Sequence, residues 1–180
     1  MEQRKTAKRV AFCGVITGFG VLVMLTGGLI PVLTYCSPLF AAALLIPVLF
    51  EYGRTPAMLV WLATSLVSLS VGADKEAAFF YVFTGWYPVV KPYLDNIKVK
   101  PLRVAAKLAV FGLCIGTMYS LLLLVLRPAA VMADFDGLSG WMTFGFCTAL
   151  VLIMLIYDTA ILRFAVVYLR RLRPKIRKIV

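Results

Sequence analysis

The chain contains no histidine, and its four cysteines (Cys13, Cys36, Cys114 and Cys147) are far apart, with no CxxC pair. The missing imidazole excludes histidine-based acid–base and nucleophile chemistry. Together the two features remove ordinary zinc sites, so no metal and no cofactor is expected. Each cysteine lies in or beside an apolar run, where a free thiol behaves as a small hydrophobe. Acids are scarce too: 8 Asp and Glu stand against 19 Lys and Arg, a net charge of +11. In a soluble chain that balance would suggest nucleic acid. Here the basic residues gather at both termini and in one central loop, with no stripe of stacking aromatics, and no nucleic-acid partner is expected. No Walker-type phosphate loop occurs, so an ATPase would have to be a separate chain.

What the chain has in excess is apolar residues in unbroken runs. Of its 180 residues 62% are hydrophobic, and the mean hydropathy is +0.95. A soluble domain averages about 45–50% apolar residues. Continuous runs, rather than alternating or 3.6-residue patterns, mark helices that meet lipid all round. The lipid bilayer is therefore the expected partner. The expected fold class is all-α: a polytopic membrane protein, a bundle of six transmembrane helices in a single membrane domain over 1–180. The spans fall at about 10–30, 35–52, 57–73, 75–93, 102–126 and 141–165, with a basic tail over 166–180. The first run, Val10 to Ile30, exceeds the roughly 7–15 apolar residues of a signal peptide and reads as a retained helix.

Proline, glycine and charge punctuate these runs. Pro38 falls in the first turn of the second span. Pro47 falls in its interior, where the missing N–H and a clash with the Ala43 carbonyl predict a kink. In Gly53-Arg54-Thr55-Pro56 the glycine suits a helix end, Thr55 a cap and Pro56 a first helical position. Asp74 is a natural N-cap, and Glu76 suits the positive end of the helix that follows. The apolar part of that fourth span, Ala77 to Val90, is only about 21 Å long at 1.5 Å per residue. A full span including its first turn, kinked at Pro88, is expected. Pro101 can start the fifth helix and Ser139 can cap the sixth.

Six spans put both termini on one side. Every Lys and Arg except Lys75 and Arg127 then lies on that side, and the positive-inside rule makes it the cytoplasm of a cell-membrane protein. The other surface carries Asp74, Glu76, Asp134 and Asp136. No repeat relates the two halves, which gives no support to an inverted-repeat transporter.

Several groups of residues suggest function. Ala7, Ala11, Gly14 and Gly18 share one face of the first helix, and small residues let helices approach closely in lipid. They are candidates for a partner interface, beside the plainer reading of packing against the chain's own helices. Thr64, Ser65, Ser68 and Ser70, with Thr117, Tyr119 and Ser120, can line a polar pocket or bond their own backbone four residues back. Asp74, Lys75 and Glu76 can recognise a charged ligand or simply cap a helix beside a snorkelling lysine. Tyr35, Phe79, Phe80, Tyr81 and Trp141 suit an interfacial belt, and a ligand pocket would draw on the same set. The substrate-binding candidates are therefore Tyr35, Ser68, Asp74, Lys75, Glu76, Tyr81, Tyr119 and Trp141. Glu51 and Asp158, near the inner boundary, are expected to pair with Arg54, Lys91 or Arg163. They have no recognisable nucleophile or metal partner, so the chain is not expected to be an enzyme.

With six spans in under 200 residues and Ala7-Lys8-Arg9-Val10-Ala11 at its start, the chain resembles the substrate-binding S component of energy-coupling factor vitamin transporters. It also resembles a six-helix membrane protein family of Firmicutes with a stretch like Asp74-Lys75-Glu76-Ala77-Ala78 followed by Gly85-Trp86-Tyr87-Pro88. In the transporter family an AxxxA on helix 1 faces the transmembrane coupling subunit, and substrate binds near the outer side. The resemblance implies that Ala7 and Ala11 contact such a partner and that separate ATPase subunits drive uptake of a small, vitamin-like molecule. In this chain the AxxxA flanks Lys8 and Arg9, at the cytoplasmic edge of the span. No vitamin-specific signature occurs, so the ligand is open. The alternative is a scaffold or assembly factor whose basic inner face holds partner proteins or anionic lipid.

Overall fold

A computed structural model describes residues 2–27, 33–71, 74–121 and 140–173. These residues are helical almost throughout and form no strand. Helix α1 (Glu2–Gly27) is followed by α2 (Leu33–Ala43), α3 (Leu45–Tyr52), α4 (Arg54–Val71), α5 (Lys75–Thr84), α6 (Tyr87–Asp95), α7 (Lys100–Leu121) and α8 (Gly140–Val167). The last runs on into a π-helical turn, Tyr168–Leu172. Among the described residues five stretches are long and apolar enough to cross a membrane: Thr6–Gly27, Thr34–Tyr52, Arg54–Val71, Lys100–Leu121 and Thr148–Arg171. The all-α class is as expected, and the lengths suit a multi-pass membrane protein. The expected ends of the first and fifth helices, 28–30 and 122–126, lie outside the described residues, as do Asp134, Asp136 and Ser139.

Prolines set the interruptions. Pro47 has no N–H to give the Ala43 carbonyl. The helix opens one turn earlier, at Leu44, whose N–H is shared between the carbonyls of Phe40 (3.3 Å) and Ala41 (3.2 Å). Gly53 ends α3 at φ 87°, a conformation that favours glycine, and α4 starts at Arg54 with Pro56 buried in its first turn.

At the fourth span the expected kink is a full division into α5 and α6. Pro88 cannot donate to the Thr84 carbonyl, and the Thr84 hydroxyl turns back to Phe80 O (2.6 Å). Gly85 and Trp86 then form a turn, with Gly85 N–H on Tyr81 O at 2.7 Å. The Tyr81 ring covers this turn so closely that a Cβ on Gly85 would lie 2.5 Å from Tyr81 O and 2.8 Å from the ring. Lys75 to Asp95 still covers about 30 Å at 1.5 Å per residue.

Two apolar clusters hold the bundle together. The larger joins Ile46, Phe80, Tyr81, Phe111, Met118 and Met154 from both halves of the chain. The smaller stacks Leu45, Val48, Ala57, Val60 and Val89 under Phe12 and Ile16 of α1. Phe80 and Tyr81 are wholly buried, so they belong to the core and not to an interfacial belt. The outside is apolar as well: Phe19, Leu22, Leu59, Leu66, Leu113 and Ile156 are all more than half exposed. Hydrocarbon solvates such a surface without cost, and helix association there relies on close packing and polar contacts. Gly20 provides one close approach, its Cα facing Thr64 so that a Cβ would lie 3.1 Å from that side chain.

The expected basic tail is helical at its start. Tyr168 is buried and stacks on Phe50, with ring centroids 6.2 Å apart, and Arg173 pairs with Glu51 at 3.0 Å. These contacts draw residues 166–173 onto α3 instead of leaving them as a free extension.

Candidate functional site

Where α1 ends and α2 begins, three helices bring together two phenols and one carboxylate. Tyr35 in the first turns of α2 donates its hydroxyl to Glu76 Oε1 at 2.6 Å. Tyr119, near the end of α7, donates to the same oxygen at 2.6 Å. The two hydroxyls lie 3.2 Å apart, and the Tyr35 ring stands perpendicular to Phe80, centroids 5.7 Å apart. Glu76 reaches this position because the neighbouring residues are committed elsewhere. Asp74 caps α5 by accepting the Ala77 N–H at 3.0 Å. Lys75 is exposed and donates to the Leu69 carbonyl at 2.7 Å, closing the end of α4. The charged triplet thus divides: two residues secure helix ends, and one enters the bundle.

The remaining substrate-binding candidates are spread around this cluster. Tyr81 is buried, with its hydroxyl beside Thr64 and its carbonyl accepting from Trp61 Nε1 at 3.4 Å. Ser68 is buried on α4, as is Ser65, and neither hydroxyl has a hydrogen-bond partner among the described residues. Ser70 bonds its own backbone at Leu66, while Thr117 and Ser120 face outward. Trp141 lies in α8, its side chain outside the described residues.

On α1 the candidate interface residues Ala7, Ala11, Gly14 and Gly18 are all exposed. A Cβ on Gly14 or Gly18 would meet nothing within 4 Å, so this face does not pack against the chain's own described helices. Ala7 and Ala11 line an open groove with Gln3, Thr6 and Val10.

A second cluster lies where α6 leads into α7, and sequence reasoning missed most of it. Asp158 of α8 accepts from Tyr87 and Lys91 at one oxygen, and from Lys107 at the other (2.8 Å). Asp95 pairs with Lys107 at 2.6 Å and with Lys91 at 3.3 Å. Two lysines and two aspartates therefore balance in charge. Both lysines are only 6% exposed. Of the partners expected for Asp158, Lys91 is present; the second is Lys107, not Arg54 or Arg163. Glu51 pairs with Arg173, not with any of those three, and Arg54 lies over the Tyr93 ring, 4.0 Å from its centroid. A signal for Lys107 existed: it stands more than one turn inside an apolar helix, where an ionisable residue calls for a partner. Lys91 and Asp95, four apart on α6, were a further one.

Comparison of the chain with protein-family models, with curated proteins and with solved structures found no match.

Proposed function

We propose that the protein is the membrane-embedded substrate-binding subunit of an uptake transporter, similar to an energy-coupling factor S component. It captures a small molecule from outside and works with a separate coupling subunit and ATPase subunits. The observation that carries this reading is the convergence of Tyr35 and Tyr119, from two helices, on the half-buried Glu76 carboxylate of a third, at the end of the bundle away from most of the basic residues. Ionisable groups among membrane helices are expensive to keep, which makes them functional candidates.

In this reading α5 and α6 together form a sixth span, both termini are cytoplasmic, and the location is the cell membrane. The irregular backbone at Gly85–Trp86 is then enclosed by protein, as lipid requires. The open small-residue face of α1 is available to a coupling subunit.

Gentle purification of the full chain, with identification of the small molecules and proteins that accompany it, tests the proposal. An ATPase pair and a bound small molecule are expected. Recovery of neither overturns the reading and leaves a scaffold at the membrane. For topology, Asp136→Cys should react with an impermeant thiol reagent from outside; reaction only from the cytoplasm refutes the orientation.

A further inference from the structure

We infer that the molecule bound at Glu76 is a monocation, a protonated or quaternary amine. The inference rests on the binding-subunit reading and adds the charge class of the ligand. It starts from how the acids are neutralised. Among the described side chains, Glu51, Asp95 and Asp158 each have a lysine or arginine within 4.0 Å. Asp74 is committed to the Ala77 N–H. Glu76 is different: its hydrogen-bond donors are two phenols, and no basic group among the described residues reaches it.

Lys75, the adjacent cation, is turned away to the Leu69 carbonyl. The positive end of α5 supplies only about half an elementary charge. Both phenols bond the same oxygen, Oε1. That leaves Oε2 without a donor among the described residues, on a side chain that is only half-buried.

A partly buried carboxylate with no counter-charge among the described residues favours a cation that reaches it. The flanking groups select among cations. The Tyr35 ring stands beside the carboxylate, perpendicular to Phe80, and an ammonium bearing carbon substituents gains from neighbouring aromatic rings as well as from a carboxylate. Phenol hydroxyls that already donate to Oε1 hold the carboxylate in place, so the acceptor is set before the ligand arrives.

The test uses the full chain in lipid nanodiscs and follows its apparent Tm against matched small molecules. The cations are choline, tyramine and benzyltrimethylammonium; the neutral controls are benzyl alcohol and glycerol; the anions are benzoate and 4-hydroxyphenylacetate. Any small molecule that accompanies the purified protein is identified by mass spectrometry and added to the panel. At ligand about 100-fold above Kd, a rise in Tm of roughly 5–10 °C is expected for at least one cation and for no neutral or anionic compound. Glu76→Gln keeps an acceptor for the phenols, and should bind that cation on the order of 10- to 100-fold more weakly. Lys75→Gln should bind it as the wild type does.

Stabilisation by a neutral or anionic molecule, or cation binding that survives Glu76→Gln unchanged, overturns the charge assignment and leaves the binding subunit standing. No bound molecule and no stabilisation by any compound overturns both.

Discussion

The four-charge cluster offers the sharpest test of the packing described above. Asp158→Asn keeps the shape of the side chain and its contact with Tyr87, but removes one negative charge. Lys91 and Lys107, whose side chains are 7% and 8% exposed, would then share Asp95 alone. The Lys107–Asp158 attraction at 2.8 Å is about 6 kcal/mol in gross terms at an effective dielectric of 20. Most of that is offset by desolvation, and stripping one partner from a buried pair costs about 3–5 kcal/mol. For a chain of this size the apparent Tm should fall by roughly 10 °C. Lys91→Met leaves the opposite imbalance and should also destabilise. The double variant retains the neutral Lys107–Asp95 pair, so it should be more stable than the two single effects predict when summed, by about 2 kcal/mol. The assay is thermal unfolding of detergent-purified protein, followed by retention of a monodisperse peak. Additivity within about 0.5 kcal/mol would refute the argument, because it would mean that Lys91 and Asp158 do not sense each other's charge.

Three further outcomes are expected. Gly85→Ala should lose about 1–3 kcal/mol from crowding against Tyr81, although alanine is the better helix former by up to about 1 kcal/mol; a gain in Tm would show that the turn is not held shut by that ring. Gly20→Leu should sharply reduce the yield of folded protein, whereas Gly14→Leu and Gly18→Leu should alter monomer stability by no more than about 0.5 kcal/mol, as read by the same unfolding assay. Arg173→Gln, at a half-exposed pair, should cost no more than about 1 kcal/mol and lose its effect in high salt; a large, salt-independent loss would mean that the pair is more enclosed than its geometry indicates.

The helices, the cap at Asp74 and the breaks near Pro47 and Pro88 were legible because each is encoded within a few residues. Tyr35, Glu76 and Tyr119 could be selected by residue type and by their level in the spans, but not as a group. The 41 and 43 residues that separate the two tyrosines from Glu76 carry no record of the convergence. Distance also hid the pairing of Glu51 with Arg173, 122 residues apart. Lys107 was obscured differently: it follows Lys98, Lys100 and Arg103, and a run of basic residues reads as a solvated connector even where its last member has entered a helix. The face on which α1 meets its neighbours was ambiguous too. Small residues mark both Gly20, which packs on Thr64, and Gly14 and Gly18, where an added Cβ would meet nothing within 4 Å among the described residues.

The order in which the chain is made gives the second cluster another meaning. When α6 has been synthesised, Lys91 and Asp95 already balance across one helical turn. The arrival of α7 adds Lys107 and leaves one positive charge unmatched. Only Asp158, fifty-one residues later, restores neutrality. Glu51 waits longer still, until the ribosome has passed Arg173. Both closures therefore depend on α8 and the turn that follows it. A chain truncated before that point keeps its earlier apolar helices but loses the last one, Thr148–Arg171, and with it the partners that close both sets of charges.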